Sequence, residues 1–464
     1  MSSLSPQELA ERALAAAGPS AVVLVEHTST ADLRWARSTL TTNGERNGLT
    51  LTVIAFDERP DGVGTATLSV TGPDGAAAVA VAEGARAAAA AAPNAADAAP
   101  LVQPNQAPAG LDWNGAVELT SASALTGLTS RLGEALRAGG ADDIEHFGYA
   151  EHSVSTTWLA SSTGVRLRWA QPSGRIEMTA KSHQRTRSAW QGAASEDLDL
   201  IDVDSLDAAL RRGLAWQERR IDIAPGRHTA ILTAGATADL ACDIWWYAAA
   251  RDALEGRSVF SRPGGGTRLG DRLTDRRISI GTDPGDPGMP ASPFEAATGS
   301  SAHSSVFDNG LRSAAATWIK DGEVSSLIAP RAVAREHSLP PVPAGSNLTV
   351  TDADGSGALD DLVARTDDAL LVTCVWYNRV VDPQSLLITG LTRDGVYVVR
   401  GGEIVGSAGN FRFNESPVGM LARVRDASST SRTQPREMAD YVPRVAAPAM
   451  RIEGFNFSTA SDAL

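Results

Sequence analysis

The chain has 464 residues, 43% apolar and 21% charged, which is enough to bury the cores of several domains. Its net charge of −14 argues against a nucleic-acid-binding surface, which needs clustered lysine and arginine. The two cysteines, Cys242 and Cys374, are far apart, which excludes a disulfide framework and a cysteine-rich zinc module. No apolar run approaches the ~20 residues of a membrane span, and the N-terminus lacks the basic and apolar regions of a signal peptide. We therefore expect a cytoplasmic protein.

The first 222 residues alternate between helical and strand patterns, which predicts an N-terminal α+β domain with helix-flanked antiparallel sheets. Two Asn-Gly pairs, at residues 43–44 and 47–48, are typical of hairpin turns and are expected to separate the strands Leu33–Ala36 and Leu49–Phe56. Residues 94–110 are rich in proline and alanine, which predicts a loop or linker. The predicted helices are Pro6–Ala17, Ala76–Ala92, Ala124–Ala138 and Leu206–Gln217.

A short repeated motif indicates that this N-terminal domain contains a duplicated unit. Residues 25–29 read VEHTS and residues 150–154 read AEHSV, and a Leu-Arg-Trp triplet follows each of them, at residues 33–35 and 167–169. Two copies of a helix-plus-sheet unit would explain the repeated motif. Chance similarity over five residues is the alternative.

The second domain, residues 223–464, is predicted to be β-rich and built around one central helix. Thr229–Leu232 is a short apolar run suited to a buried strand, and Thr237 can cap the helix that follows. Apolar residues then recur at helical spacing as far as Leu254, which predicts a single helix of about four to five turns. A helix that is apolar nearly all round is usually buried between layers. Downstream, Ala369–Tyr377 is a nearly continuous apolar run, as expected for a central strand.

Two stretches of this second domain resemble the C-terminal half of the TldD/TldE (PmbA) metallopeptidase family. The first is LEGRSVF at residues 254–260, followed by GGGTRLGDRL at residues 264–273. The second is the strand–turn–strand segment at residues 370–417, which begins LLVTCVWYNRVVDP and ends NFRFNESP. The resemblance implies a subunit of a zinc peptidase complex that cleaves unfolded or modified peptides, including leader peptides and small labile proteins.

The zinc-binding residues of that family have no counterpart in this chain. In the catalytic TldD branch the central helix carries HExxxH before an LEG triplet, and alignment on this triplet puts Tyr247, Ala248 and Asp252 at the His, Glu and His positions. A zinc peptidase needs imidazole ligands and a carboxylate that activates water, and these side chains do not provide them. A further cysteine ligand of the catalytic branch is also missing from Glu437–Pro448.

The resemblance is therefore to the TldE branch, the partner that lacks the motif. It implies no catalytic residue, no metal site and no cofactor in this chain. It also implies a TldD-like partner that carries HExxxH and holds the zinc, a peptide substrate, and no contact with nucleic acid or membrane.

Aromatic and hydrogen-bonding residues at two strand ends are candidates for contact with a peptide or a partner. This mixture suits a peptide channel or a subunit interface. An equally good interpretation is that the aromatic rings belong to the core and that the polar groups satisfy loop backbone. The candidates are Trp376, Tyr377, Arg379, Arg412, Asn414 and Glu415.

Two other classes of function remain open at this point. One is a stand-alone, homodimeric hydrolase or peptide-modifying enzyme with an unrecognised site. No G-x-S-x-G elbow is present, and none of the seven histidines has HExxH spacing. The other is a peptide-binding scaffold that acts without a catalytic partner.

Overall fold

The computed structural model describes residues 4–461 and confirms the α+β fold. Helices and strands are numbered in chain order. The helices of the N-terminal half are α1 (Pro6–Ala17), α2 (Gly75–Ala91), α3 (Thr126–Ala141) and α4 (Val203–Ala215). The strands of this half are β1 (Ala21–Ala36), β2 (Thr39–Arg59), β3 (Gly62–Thr71), β4 (Glu145–Ser161), β5 (Arg166–Ser182) and β6 (Arg187–Ser195).

These six strands form one antiparallel sheet in the order β3-β2-β1-β4-β5-β6, with all four helices on one face. Side chains alternate between the faces of a strand, so alternate residues of β1 point to the helices. Val23 and Val25 pack with α1 and α2, whereas Leu33 and Trp35 pack with α3 and α4. Leu24 belongs to the opposite face, which packs against the C-terminal half.

The hairpin between β1 and β2 turns at Arg37 and Ser38, whose φ angles are 52° and 57°. The prediction of turns at the Asn-Gly pairs was therefore wrong. Asn43 lies opposite Leu33 and Asn47 lies opposite Ser29, both inside the β1–β2 ladder. The physical reason is that β1 remains extended between β2 and β4 along this length, so the ladder holds the Asn-Gly pairs in strand conformation.

The sheet order places two similar runs of elements side by side. The first run is α1, β1, β2, β3 and α2, and the second is α3, β4, β5, β6 and α4. The two copies of the repeated motif, residues 25–29 and 150–154, lie on β1 and β4, which are the central antiparallel pair. The duplication and the domain boundary after residue 222 stay predictions.

The C-terminal half consists of two further sheets with short helices. Its helices are α5 (Ala234–Trp246), α6 (Ala250–Leu254), α7 (Arg331–Glu336), α8 (Leu359–Ala364) and α9 (Pro417–Leu421). Its first strands are β7 (Gly226–Leu232), β8 (Ile278–Thr282), β9 (Ala316–Lys320), β10 (Glu323–Val324), β11 (Leu348–Asp352), β12 (Asp368–Val372), β13 (Val375–Asp382) and β14 (Leu387–Thr392). The remaining strands are β15 (Val396–Arg400), β16 (Glu403–Ser407), β17 (Asn410–Glu415), β18 (Val424–Ala427), β19 (Ser431–Thr433), β20 (Val445–Ala447) and β21 (Met450–Ser461).

The larger sheet has the order β13-β14-β17-β21-β7-β12-β15-β16, with β18 paired to β21, and the smaller has the order β10-β9-β8-β11-β20-β19. The run Ala369–Tyr377, predicted as one central strand, is divided between β12 inside the larger sheet and β13 at its edge. Helix α5 contacts β7 of the larger sheet and β11, β19 and β20 of the smaller one. Every residue from 236 to 244 is buried, so the central helix lies between layers as predicted. Within residues 4–461, no helix combines the length and the apolar character that crossing a membrane requires.

The central helix is not continuous, and the prediction of one helix over this stretch was wrong. It begins after Thr233, whose side chain caps it, so the prediction of Thr237 as the cap was wrong, because Thr237 lies inside α5. The helix breaks between α5 and α6 at residues 247–249. The break has a local cause. The backbone N–H of Ile328 donates to the carbonyl of Ala248, and the N–H of Ala250 donates to the carbonyl of Ile328, each at 2.8 Å. Bonds of this kind compete with the hydrogen bonds that would continue the helix.

Candidate functional site

The candidate site lies where α5 and β13 meet residues 432–444, which we call the bridging segment. Asp239 of α5 is fully buried, and its carboxylate accepts three backbone hydrogen bonds from this segment. The donors are the N–H groups of Arg436 at 2.9 Å and of Glu437 and Met438 at 3.0 Å. A carboxylate that satisfies three amides fixes the position of the segment on the helix.

The side chain of Glu437 extends the connection to β13. Its carboxylate accepts the backbone N–H of Asn378 at 2.7 Å and the guanidinium of Arg379 at 2.8 Å. The guanidinium of Arg379 in turn lies 5.5 Å from the ring centroid of Tyr377, which is 55% exposed. The structure therefore brings two of the sequence-predicted residues, Tyr377 and Arg379, next to the segment that covers the central helix.

Arg436 anchors the same segment to the N-terminal half. Its guanidinium lies over the rings of Trp190 and Trp376, at 5.1 and 5.3 Å from their centroids. It also pairs with Asp394, a buried carboxylate that accepts a hydrogen bond from the Ser188 hydroxyl at 2.6 Å. Trp376 is therefore part of an aromatic and cationic stack at the junction of the two halves.

Three further contacts attach the bridging segment to the N-terminal sheet. They are Arg432 with Glu196 at 2.7 Å, Gln434 with Glu177 at 3.0 Å, and Asp440 with Arg175 at 2.6 Å. Together with the Asp239 contacts, they show that the bridging segment contacts both the N-terminal half and the central helix.

The other predicted residues lie on β17, two strands away from β13. Trp376 is opposite Leu391 of β14, and Leu391 is opposite Arg412, so these three form one row across the sheet. Arg412 is exposed. Asn414 lies in the parallel row that contains Arg379.

Glu415 is the exception among the six candidates. It is 4% exposed, and its carboxylate contacts the Arg423 guanidinium at 2.5 Å and the Asn456 backbone N–H at 2.8 Å. Glu415 therefore points away from the exposed side of the sheet, and these contacts stabilise the fold.

The three positions that align with HExxxH do not fit a zinc ion. Tyr247 ends α5, Ala248 is buried in the break, and Asp252 lies on α6, where it pairs with Arg257 at 2.7 Å. Zinc in proteins is bound by histidine, cysteine and carboxylate side chains, but two of these positions hold a phenol and a methyl group, and the single carboxylate is already paired with arginine. Within residues 4–461, no three His, Cys, Asp or Glu side chains are grouped so as to hold a metal. The metal-free state of this chain stays a prediction.

The most unusual electrostatic feature is Asp243, one helical turn after Asp239. It is 6% exposed, and its Oδ2 atom is enclosed without a hydrogen-bond partner. Burial raises the pKa of Asp243 to about 7, and the nearby negative charge of Glu437 acts in the same direction. Burial also raises the pKa of Asp239 to about 7, although its three backbone donors oppose that shift.

Sequence reasoning missed Asp239, Asp243 and Glu437 as site residues. The available signal was a pair of aspartates spaced four residues apart on a helix that is otherwise apolar nearly all round. Such acids are rarely buried without a partner, so their presence in a buried helix indicates a polar function on one face. No comparable signal in the sequence identified Glu437 as their neighbour.

The fold and this junction define a two-part α+β protein in which the bridging segment joins the N-terminal half to the central helix of the C-terminal half. Residues 225–459 match the sequence profile of the PmbA/TldA metallopeptidase C-terminal domain. Because the match spans half of the chain, the protein belongs to this family, the TldD/TldE metallopeptidases. No curated protein sequence matches the chain.

Solved structures share the fold along nearly the whole chain. TldE from Thermococcus kodakarensis superposes with a TM-score of 0.76 at 13% identity, covering 97% of this chain and 99% of that one. A protein described as a candidate modulator of a DNA gyrase from Thermotoga maritima gives a TM-score of 0.75 at 14% identity, covering 97% and 100%. A similarly described protein from Bacteroides thetaiotaomicron gives 0.76 at 13%, covering 98% of each chain. At these identities the likeness establishes the fold alone.

Proposed function

We propose that the chain is the non-catalytic, TldE-like subunit of a TldD/TldE-type zinc metallopeptidase. One observation carries this proposal: the family fold is retained, whereas the HExxxH positions hold Tyr247, Ala248 and Asp252. Hydrolysis of a peptide bond needs an activated water and stabilisation of the developing oxyanion, and these side chains offer no zinc-bound water.

The missing chemistry would come from a TldD-like homologue. That partner carries HExxxH, binds the zinc and supplies the glutamate that activates water. This chain then acts in the cytoplasm by assembling with the partner and by binding part of the unfolded or modified peptide.

The exposed side of β13 and β17 supports a role in contact with the partner or the peptide. Tyr377, Arg379 and Arg412 are exposed there, and Trp376 lies in the same row as Arg412. Aromatic rings and arginines are enriched where protein surfaces bind one another. Two homologous chains would pair through equivalent surfaces, in the manner of an isologous dimer.

The test is co-expression with the HExxxH-bearing homologue from the same genome, followed by affinity purification through a tag on this chain. We expect the two chains to co-purify and the complex to hydrolyse an unstructured peptide, with no hydrolysis by this chain alone. A matched control complex carries Gln in place of the motif glutamate of the partner, and it should assemble normally without activity.

The alternative functions give different results in the same experiment. Hydrolysis by this chain alone that survives a chelator would contradict the proposal and indicate an unrecognised catalytic site. Peptide binding without a partner, together with no activity in any mixture, would identify a scaffold.

A further inference from the structure

A cavity of about 420 Å³ lies between the N-terminal sheet and the C-terminal half. Its floor is the face of β1, β2, β4 and β5 opposite the four helices, and its other wall includes residues 292–298, Ser346 and Arg444. Glu26 and Thr298 line it and are exposed, so a ligand can enter from solvent. The volume is in the ~300–1,000 Å³ range of small-ligand sites. We call it the Arg444 cavity.

The floor of the cavity is rich in hydroxyl groups. Side chains alternate along a strand, so Glu26 of β1 lies on the cavity face and not on the helix face. The register places Thr50 of β2 and Thr157 of β4 on either side of Glu26, and Ser155 of β4 lies opposite Gln171 of β5. This surface offers hydrogen bonds to the polar groups of a ligand, and the positive charge of the cavity comes from the opposite wall.

Arg444 on that wall is a buried cation whose charge is incompletely compensated. It is 6% exposed, and its guanidinium contacts the Pro172 carbonyl at 3.4 Å and the Glu196 carboxylate at 3.8 Å. Both distances exceed the ~2.7–2.9 Å of a charge-assisted hydrogen bond. Its Nε atom is enclosed without a partner, and within residues 4–461 no group accepts a hydrogen bond from its Nη1 atom.

The neighbouring carboxylate does not complete the pair. Glu196 already binds Arg432 through both of its oxygens, at 2.7 and 2.9 Å, so one carboxylate faces two guanidinium groups. Burial lowers the pKa of Arg444 to about 10, and the positive charge of Arg432 acts in the same direction, but Arg444 remains charged at neutral pH. A buried charge without a close partner is costly. Its presence on the wall of an open cavity therefore indicates an anionic ligand.

The positions of the charges favour a carboxylate over a multiply charged anion. The Pro172 carbonyl also accepts a hydrogen bond from the Gln171 side chain at 3.2 Å, which places Arg444 at the β5 side of the floor. Glu26 lies on β1, two strands away, or ~10 Å at the usual strand spacing. Phosphate would be repelled by Glu26 and by Glu295, which also lines the cavity. A carboxylate followed by backbone N–H groups suits both the cationic side and the acidic side.

We propose that the Arg444 cavity binds a carboxylate of the peptide, either its C-terminal carboxylate or an acidic side chain. The inference rests on the proposed function, because it specifies which part of the peptide this chain would hold. The carboxylate accepts a hydrogen bond from Nη1 of Arg444, and the N–H groups next to it lie along the floor towards Glu26.

The test compares three short unstructured peptides in titrations of the full chain. One has a free C-terminus and no Asp or Glu, the second is its C-terminal amide, and the third is amidated but contains one glutamate. We expect amidation to weaken binding roughly tenfold or more, as loss of a charge-assisted hydrogen bond would. Recovery of affinity with the third peptide would identify an acidic side chain as an equivalent source, and no recovery would identify the C-terminal carboxylate.

Two variants separate the cavity from the rest of the surface. Arg444→Gln removes the cation and should bind the free-acid peptide no better than the amide. Arg425→Gln is the matched control, since Arg425 pairs with Glu453 on the surface and does not line the cavity, and it should bind like the parent chain. Thr157→Tyr leaves Arg444 intact and adds bulk to the floor in a residue type that strands accept. It should also weaken binding of the free-acid peptide.

N-Acetylglycine tests the cavity without any peptide binding. Its sodium salt should raise the thermal midpoint of the parent chain more than equal concentrations of N-acetylglycinamide and sodium chloride do, because a ligand of the folded state stabilises it. Arg444→Gln should lose this difference, and Arg425→Gln should keep it.

The outcomes distinguish failure of the cavity site from failure of the proposed function. Equal affinity for the acid and amide peptides, or a difference that persists in Arg444→Gln, would overturn the site and leave the proposed function standing. If no peptide binds, stabilisation by N-acetylglycine that needs Arg444 would support the site and count against the proposed function, whereas no stabilisation would overturn the site. If Arg444→Gln does not fold, Thr157→Tyr takes its place, and unweakened binding by that variant would overturn the site.

Discussion

The backbone N–H of Glu437 donates to the carboxylate of Asp239 at 3.0 Å, while the Glu437 side chain turns away to β13. One residue therefore joins the buried central helix to the strand that carries Tyr377 and Arg379. These contacts position the candidate site, and four of the following predictions concern residues that contact Asp239 or Glu437 or lie beside them.

Asp239→Ala should lower the free energy of unfolding by about 3 kcal/mol, because three backbone N–H groups lose their acceptor. Urea denaturation at neutral pH measures the change. Asp354→Ala is the control, and loss of its exposed ion pair should cost about 0–1 kcal/mol. Equal losses in the two variants would show that the Asp239 contacts do not hold the bridging segment.

Asp243→Asn should stabilise the free chain more at pH 8 than at pH 5. Burial raises the pKa of Asp243 to about 7, whereas an aspartate in an unfolded chain titrates near ~3.9. Between these values the folded state binds more protons than the unfolded state, so the stability of the parent chain falls as the pH rises through this window. The asparagine variant has no carboxylate at this position, so its stability does not fall in this way. The thermal midpoints of both chains at the two pH values measure the difference in stability, and a difference that is the same at both pH values would contradict the prediction.

Arg436→Met should destabilise the chain by about 3–5 kcal/mol, since it leaves the buried carboxylate of Asp394 without its cation. Adding Asp394→Asn should recover part of this loss, because the amide carries no charge and can still accept the Ser188 hydroxyl. A double-mutant cycle in urea measures the coupling. If the two changes were simply additive, the ion pair would not contribute to the junction.

Arg379→Ala and Arg412→Ala should impair assembly or peptide turnover while leaving the thermal midpoint nearly unchanged. Arg412 is exposed, and so is Arg379 in its ion pair with Glu437. An exposed ion pair contributes about 0–1 kcal/mol to stability. Co-purification with the HExxxH homologue and thermal unfolding are the two measurements. Arg425→Ala, which removes another exposed pair, that with Glu453, is the control. A large drop in thermal stability with normal assembly would assign both arginines to the fold.

The isolated chain should retain no stoichiometric zinc after metal stripping and reconstitution. Tyr247, Ala248 and the Arg257-paired Asp252 occupy the positions of the family ligands, and residues 437–448 contain no cysteine. Elemental analysis gives the metal content, with the HExxxH homologue as the positive control. One tightly held zinc per chain would overturn the prediction.

Much of the fold was predictable because hydrophobic periodicity is local. The helix at Pro6–Ala17 has the predicted bounds and its Ser5 cap, and the burial of the central helix followed from its apolar character. The Asn-Gly turns and the continuous helix failed for a common reason. In both, pairing with a distant strand or segment, β4 in one and Ile328 in the other, overrode the local preference.

The candidate site was less predictable, since its contacts span long distances in sequence. The mixture of aromatic and arginine residues located Tyr377 and Arg379, but nothing local indicated that Glu437 would contact them. Glu415 follows Asn414 directly, and because side chains alternate along a strand it lies on the same buried face as Phe411 and Phe413. The alternation of these two phenylalanines was therefore a local signal that Glu415 points inward, whereas its partner Arg423 could not be read from it.

The attachment of the bridging segment on both sides has a mechanical consequence. It is tied to α5 near its middle and to the N-terminal sheet through Arg432 and Asp440 on either side. The two halves cannot separate like a hinge without breaking these bonds in the same movement. A separation of the two halves would therefore occur as one concerted step and would be transmitted directly to the central helix.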